Sequence, residues 1–507
     1  MEFITHMEKQ PETETSSAVT DQNHETIVDV PAKNNSVADA PAKNPGDRMP
    51  PHSIGYAGLT IMLFGGMLGG LTQTAMNTLL STVVLDLGVP VSTGQWLINI
   101  FPLCLGVIIP LSGFLSRHFK PRSLFLFAVG LFIIGTTIIA VSSSFALLLV
   151  GRIFQGCATG VIFPLLQTIG LTHFPRSKSG VVMGFIGLTM GFAPNVGPTI
   201  AGAFSTAFGW RSCFLFLLVF SSIVLAIAIP FLRKTPSLGK GDDRIDTVSV
   251  VFSTLGFGGL LLGLSDASQY SIGSWMCLVP CTVGVVFLAA FCVRQGRVDN
   301  PLIKMDVFSY KAFSIGTVIV CLLFCAFIGV TLVIPLDVQT VHGRSALESG
   351  LVLLPGVIGA LVASPLAGAL MDRIGARPVC CVATLLVLLG TFMLLDLGNM
   401  DSLVEVSMWQ TVRTLGISSL IMPVTTWSLN ALPMELIPDG SSMTNSVRQI
   451  TAALGTAVMV LLMSAGTAGG AATAQGVNDA MMFSFAVTVL LAVLCFAFVK
   501  DRGQRNR

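Results

Sequence analysis

Ionisable side chains are scarce in this sequence, and the few that fall inside long apolar runs carry its chemistry. Arg152 stands in Leu147-Leu-Leu-Val-Gly-Arg152-Ile-Phe-Gln155-Gly156, and Arg413 in Gln410-Thr-Val-Arg413-Thr-Leu. An arginine deep in hydrocarbon costs roughly 2.5–3.5 kcal/mol unless it is partnered or hydrated. Two readings of Arg152 follow: a structural arginine bound to backbone carbonyls or Gln155, or a residue that controls coupling or conformation. Acids are scarcer still, since Asp86 is the only Asp or Glu between Gly55 and Leu232. The first half therefore has no embedded proton carrier. In the second half Asp337, in Pro335-Leu-Asp337-Val-Gln339, closes an apolar run. It is either a solvated helix-end residue or a titrating acid near Arg413. Burial favours a protonated carboxyl and a neighbouring guanidinium an ionised one, so competition between them could couple two events. Asp266 and Glu348 lie at apolar boundaries. Asp372 shares a loop with Arg373 and Arg377, where it can accept hydrogen bonds from either arginine or from a helix N-terminus.

Enzyme chemistry finds no support. There is no phosphate-binding glycine loop of the P-loop type and no His/Cys cluster at metal spacing, and the six histidines are scattered. No cofactor or metal is expected. Cys277/Cys281 and Cys321/Cys325 have helical spacing without an accompanying His or acid, and read as small core residues. Gln73, Asn77, Gln155, Gln167, Trp427 and Asn430 are polar or aromatic positions in the same apolar runs, and either line a cavity or pack.

The elements that must hold these residues are membrane spans. Hydrophobic residues make up 53% of the 507 and charged ones 11%, against about 25% charged in soluble domains; mean hydropathy is +0.81. Fourteen spans are expected, near 55–82, 94–115, 122–142, 145–170, 180–204, 211–233, 247–265, 273–293, 313–338, 347–370, 376–396, 404–428, 442–465 and 480–499. Each is close to the roughly 20 residues that cross the hydrocarbon. Nineteen Lys and Arg fall in the short loops and the C-terminal tail on the side of the termini, and only Arg211 and Arg344 on the other. That asymmetry predicts both termini in the cytoplasm. The loop around Pro433 to Asp439 departs from the pattern, having no Lys or Arg. Spread along membrane edges, the basic residues give no sign of a nucleic-acid partner.

Residues 1–53 form a polar segment with a near repeat, Val30-Pro-Ala-Lys-Asn and Ala40-Pro-Ala-Lys-Asn. They are expected to be a disordered cytoplasmic tail rather than a signal peptide, with Met7 a second candidate start. The remainder repeats itself. Arg152, Pro164 and Pro175 in and after the fourth span are echoed by Arg413, Pro423 and Pro433 in and after the twelfth. Gly113-Phe-Leu115-Ser-Arg117-His-Phe-Lys120-Pro-Arg122 after the second span is echoed by Gly368-Ala-Leu370-Met-Asp372-Arg373-Ile-Gly375-Ala-Arg377 after the tenth. The expected architecture is an all-α polytopic membrane protein. It comprises an N-terminal six-helix bundle (54–233), a linker with two extra spans (234–312), a C-terminal six-helix bundle (313–500) and a tail (501–507). Such repeats place a substrate site between halves near the midplane. The fifth span carries Gly191, Pro194, Gly197, Pro198 and Gly202. In lipid these permit a bend and backbone-close packing, either as a hinge or as ordinary helix packing.

These residues carry a resemblance. The loop from Gly368 to Arg377 resembles the loop signature of the major facilitator superfamily, and Arg152-Ile-Phe-Gln155-Gly156 its fourth-helix motif. Gly191 to Gly202 is similar to its antiporter motif, with Ala193 where glycine is usual. The inserted pair, with Arg413 and Asn445-Ser-Val-Arg448-Gln449, resembles the fourteen-helix drug:proton antiporters, among them lincomycin-type and quaternary-ammonium exporters. The resemblance departs at Thr72 and Gln73, where a first-helix carboxylate is often found, and at Arg117, where the second loop has Asp372. It implies a monomeric, multi-pass protein of the cell (inner or plasma) membrane. It further implies export of amphipathic small molecules in exchange for protons, with the proton gradient as energy source. Arg152, Asp372, Asp337, Arg413, Arg373 and Arg377 would serve coupling and gating. The acid-free, arginine-bearing first half keeps a second reading open: a carrier of organic anions or lipid-like amphiphiles, working as an uptake or pH-independent facilitator.

Overall fold

The computed structural model describes residues 54–232, 246–267, 274–298, 300–464 and 473–500; the two tails and parts of the 234–312 linker lie outside the described residues. Fourteen long helices account for nearly all of it: α1 (Gly55–Leu87), α2 (Trp96–His118), α3 (Pro121–Val141), α4 (Phe145–Thr172), α5 (Ser179–Phe208), α6 (Trp210–Phe231), α7 (Thr247–Ala267), α8 (Trp275–Gln295), α9 (Lys311–Leu336), α10 (Ala346–Ile374), α11 (Ala376–Met393), α12 (Leu403–Leu429), α13 (Ile437–Ser464) and α14 (Ala474–Phe498). Thirteen are long and apolar enough to cross a membrane. The exception is α12, 27 residues long. It packs against α9, α10 and α11 within its bundle and touches α5 beyond it. A helix so enclosed need not be greasy all round.

Helix ends follow local chemistry. Ser144, Ser402 and Thr473 accept backbone N–H bonds at the starts of α4, α12 and α14, and Ser345 with Glu348 forms a capping box on α10. Two connections shrink to one residue, Gly209 between α5 and α6 (φ 82°) and Gly375 between α10 and α11 (φ 96°). Both φ values favour glycine.

The internal repeat is visible in the packing. α1 packs on α5 as α9 packs on α13, and α2 on α4 as α10 on α12. α3 meets α4 and α6 as α11 meets α12 and α14. Two six-helix bundles result, related by a shift of eight helices. The seam between them obeys the same relation, with α5 against α10 on one side and α13 against α2 on the other. The inserted pair, α7 and α8, packs on itself through Gly256, Gly259, Gly263 and Gly284. It then lays α7 against both α2 and α13. At one end the Arg294 fork binds Asp246 at 2.8 and 2.9 Å and holds that carboxyl at about 2, well below its usual range.

α5 runs unbroken through Pro194 and Pro198. Pro198 has no N–H to give the carbonyl of Pro194 four residues back, so that oxygen needs another donor. Thr74 on α1 supplies it, its hydroxyl 2.5 Å away. The close approach depends on Gly70, where a Cβ would lie 2.7 Å from Ala193, and on Gly197, where one would strike Leu71 and Thr74.

Candidate functional site

Arg152 is wholly buried and gathers four helices. Its Nε donates to the Leu97 carbonyl at 2.9 Å, while Nη1 donates to the Thr72 carbonyl at 3.0 Å and to Gln155 Oε1 at 3.2 Å. Gln155 Nε2 in turn donates to Thr136 at 2.9 Å. Phe101 lies 4.6 Å from the guanidinium, and Nη2 has no hydrogen-bond partner. Gln155 therefore belongs to the knot around Arg152 rather than to a cavity wall. Thr72, at the position lacking the usual acid, contributes its carbonyl to the same knot.

Arg413, also fully buried, donates from Nη2 to the Ala326 carbonyl at 2.8 Å and from Nε to Thr391 at 3.2 Å. Of the two readings of Asp337, neither the approach to Arg413 nor a solvated helix end is found. Ala326 precedes Asp337 by eleven residues, roughly 16 Å along a helix rising 1.5 Å per residue, so the arginine meets the middle of α9 and the acid its end. Asp337 is buried there, at the start of a π-turn over Asp337–Val341. Its neighbour is His342, Nδ1 lying 3.4 Å from Oδ2, and the other face of that imidazole is 3.8 Å from the exposed Asp401.

The end of the molecule where α2, α4, α10 and α12 finish, here termed the basic end, closes the seam. Asp372 accepts from the Gly180 and Val181 backbone N–H groups at 2.7 and 2.8 Å. Of the partners its loop position allowed, it takes the α5 N-terminus. Arg373 and Arg377 are exposed. Gly180 and Gly368 pack backbone to backbone beside it, with no room for a Cβ. On the matching side the charges are reversed: Arg117 ends α2, and Asp439, fully buried in the first turn of α13, lies 2.7 Å from its Nη1. Arg117 Nη2 also donates to the Pro301 carbonyl at 2.9 Å, and Lys304 N–H donates to Asp439 at 3.1 Å. Asp439 thus answers two oddities of the sequence at once, the arginine in the first loop signature and the loop without Lys or Arg.

Further bonds cross the seam near this end. Gln167 Oε1 accepts from Ser441 at 2.9 Å and Asn445 at 2.7 Å, Ser364 donates to the Gly184 carbonyl at 3.0 Å, and Ser112 meets Ser442 at 2.9 Å. Asn430 donates to Ser179 at 3.3 Å. Gln167 and Asn430 are therefore seam residues. Trp427, a candidate either for a cavity wall or for packing, donates its indole N–H to the Lys500 carbonyl beyond α14 at 3.0 Å. That bond serves the C-terminal end of the fold. Gln73 is half-buried and Asn77 exposed on α1.

Two repeated bundles of membrane-spanning helices, each knotted inside by a buried arginine and joined across a seam by charged and amide groups, define a secondary transporter in outline. A family model described as Major Facilitator Superfamily matches residues 62–459. The chain belongs to that superfamily and is a multi-pass membrane transporter, not an enzyme. It is 36% identical to an uncharacterised transporter of the superfamily, YcnB of Bacillus subtilis, over 88% of this chain and 95% of that one. It is also 36% identical to the lincomycin resistance protein LmrB of Listeria innocua, over 83% and 89%, and 28% identical to the multidrug export protein EmrB of Haemophilus influenzae, over 77% of each. Among solved structures the proton:xylose symporter XylE has a TM-score of 0.60 at 15% identity, covering 88% of this chain and 96% of that one.

Proposed function

We propose that the protein is a secondary efflux transporter of the cell membrane, acting as a monomer to export amphipathic small molecules in exchange for protons. The excess of Lys and Arg at the basic end supports a cytoplasmic location for that end and for both termini. The units that rock are the bundles 54–233 and 313–500, with Gly191, Pro194, Gly197, Pro198 and Gly202 bending α5 against α1. One observation carries the reading: the hydrogen bonds between the bundles named above, from Ser112–Ser442 to Asp372–Gly180, gather near the basic end. In this form the seam is latched on the cytoplasmic side and free to part on the other. Similarity to proteins named for lincomycin resistance and multidrug export supports export and the drug-like substrate class.

Protons would enter from outside through Asp401 and His342 to Asp337, the acid that lies deepest at that end. Asp337→Asn should abolish transport driven by an imposed pH gradient in inside-out vesicles while leaving substrate exchange intact. Unchanged proton movement in that variant would remove Asp337 from the scheme, and transport indifferent to pH would favour the facilitator reading.

A further inference from the structure

Three arginines lie deep in the spans, and they are not alike. Arg152 and Arg413 are fully buried and each donates to a backbone carbonyl and a neighbouring side chain. This is what an arginine kept for structure does in a medium without water. Arg448 on α13 is 9% exposed. Among the described residues its guanidinium makes neither a hydrogen bond nor an ion pair; it lies beside α9, 4.8 Å from the Phe324 ring and within electrostatic reach of the Cys321 thiol. It sits eleven residues into α13, about 16 Å along the helix, close to the middle of a hydrocarbon layer about 30 Å thick.

Its direction follows from spacing. Ser441, Asn445 and Arg448 stand at i, i+4 and i+7 and share one face. The first two reach across the seam to Gln167 of α4. Arg448 is the next turn along, just past the last of these bonds, on the side where the seam is unlatched. Asn445 Oδ1 beside it is buried without a donor. Five N–H donors at mid-membrane thus stand beside the seam, on the face that carries Ser441 and Asn445, with no hydrogen-bond acceptor among the described residues.

We propose that Arg448 is the head-group site for an amphipathic organic anion, a carboxylate or similar group. The guanidinium, steadied by Phe324, would grip the anion while the apolar body lies along the seam. The proposal rests on the exporter reading above and narrows its substrate class. A planar fork matches a carboxylate in two-point geometry that an amide or an ammonium cannot reproduce.

The test uses purified full-length protein in lipid nanodiscs and three probes of one shape: naphthylacetate, naphthylacetamide and naphthylmethylammonium. Thermal-shift titration should give the anion at least tenfold tighter binding than the other two. That preference should vanish in Arg448→Gln and partly survive in Arg448→Lys. Phenylglyoxal modification of Arg448 in the unmutated protein, read by mass spectrometry, should be slowed by naphthylacetate and not by naphthylacetamide, which keeps the test open if Arg448→Gln fails to fold. Equal binding of the three probes, or an anion preference that persists in Arg448→Gln, overturns the site. Export into inside-out vesicles is scored separately. Arg448-dependent binding without pH-driven export would sink the exporter reading and leave the site standing.

Discussion

Replacing Asp439 by Asn should release the latch at the basic end. Arg117 and Asp439 meet at 2.7 Å, with side chains 9% and 0% exposed. Removing one partner of a buried pair costs about 3–5 kcal/mol, because the remaining charge is stranded. Here Arg117 keeps the Pro301 and Leu302 carbonyls, which argues for the low end, about 3 kcal/mol. The cost falls only on the form closed at this end, since parting the bundles hydrates the arginine. At 1.36 kcal/mol per decade, the closed-to-open ratio should drop by roughly a hundredfold. Pulsed dipolar spectroscopy between spin labels at Leu85 and Val404, both exposed at the opposite end, would read the two populations directly. Arg117→Gln combined with Asp439→Asn should cost much less than the sum of the single changes, as expected for residues in contact. An unchanged distance distribution in Asp439→Asn, or additive effects in the double variant, would refute the latch.

Asp372→Asn keeps one acceptor oxygen where two now serve Gly180 and Val181. It should lower transport several-fold at unchanged membrane abundance, measured as initial rates at matched protein level. Arg152→Lys cannot span the Leu97 and Thr72 carbonyls together, and should lose at least tenfold in transport rate; full activity would reduce the residue to a general positive charge. Thr74→Val leaves the Pro194 carbonyl without its donor and should destabilise the α1–α5 contact by about 1–3 kcal/mol, seen as a lower unfolding midpoint in detergent.

The sequence was legible where one physical demand dominates. Hydrocarbon requires long apolar helices, so all fourteen could be placed, though α1 runs to Leu87 and α13 begins at Ile437. Asp372 was legible only in part: its loop position allowed Arg373, Arg377 or a helix N-terminus, and the choice of the α5 N-terminus depends on how the bundles meet. The Arg413–Asp337 pairing was not, because chain order says which end a residue is near but not how far along its helix a neighbour reaches. Asp439 and Arg117 lie 322 positions apart, and each alone looked like a lapse from pattern; only the matched seam explains both. Arg448 was visible as a letter in a motif. What sets it apart is the lack of partners, which no sequence displays.

The polarity of α12 bears on how the chain reaches the membrane at all. A helix carrying Gln410 and Arg413 and falling short of the hydropathy of the other thirteen gains little by entering lipid alone. It abuts α11 where Gly390 faces the backbone of Arg413 with no room for a Cβ. Biogenesis should therefore deliver the two as a preformed hairpin, the apolar helix carrying the polar one. A bulky residue at position 390 would then show itself as protein stalled during insertion and degraded, well before any loss of transport could be measured.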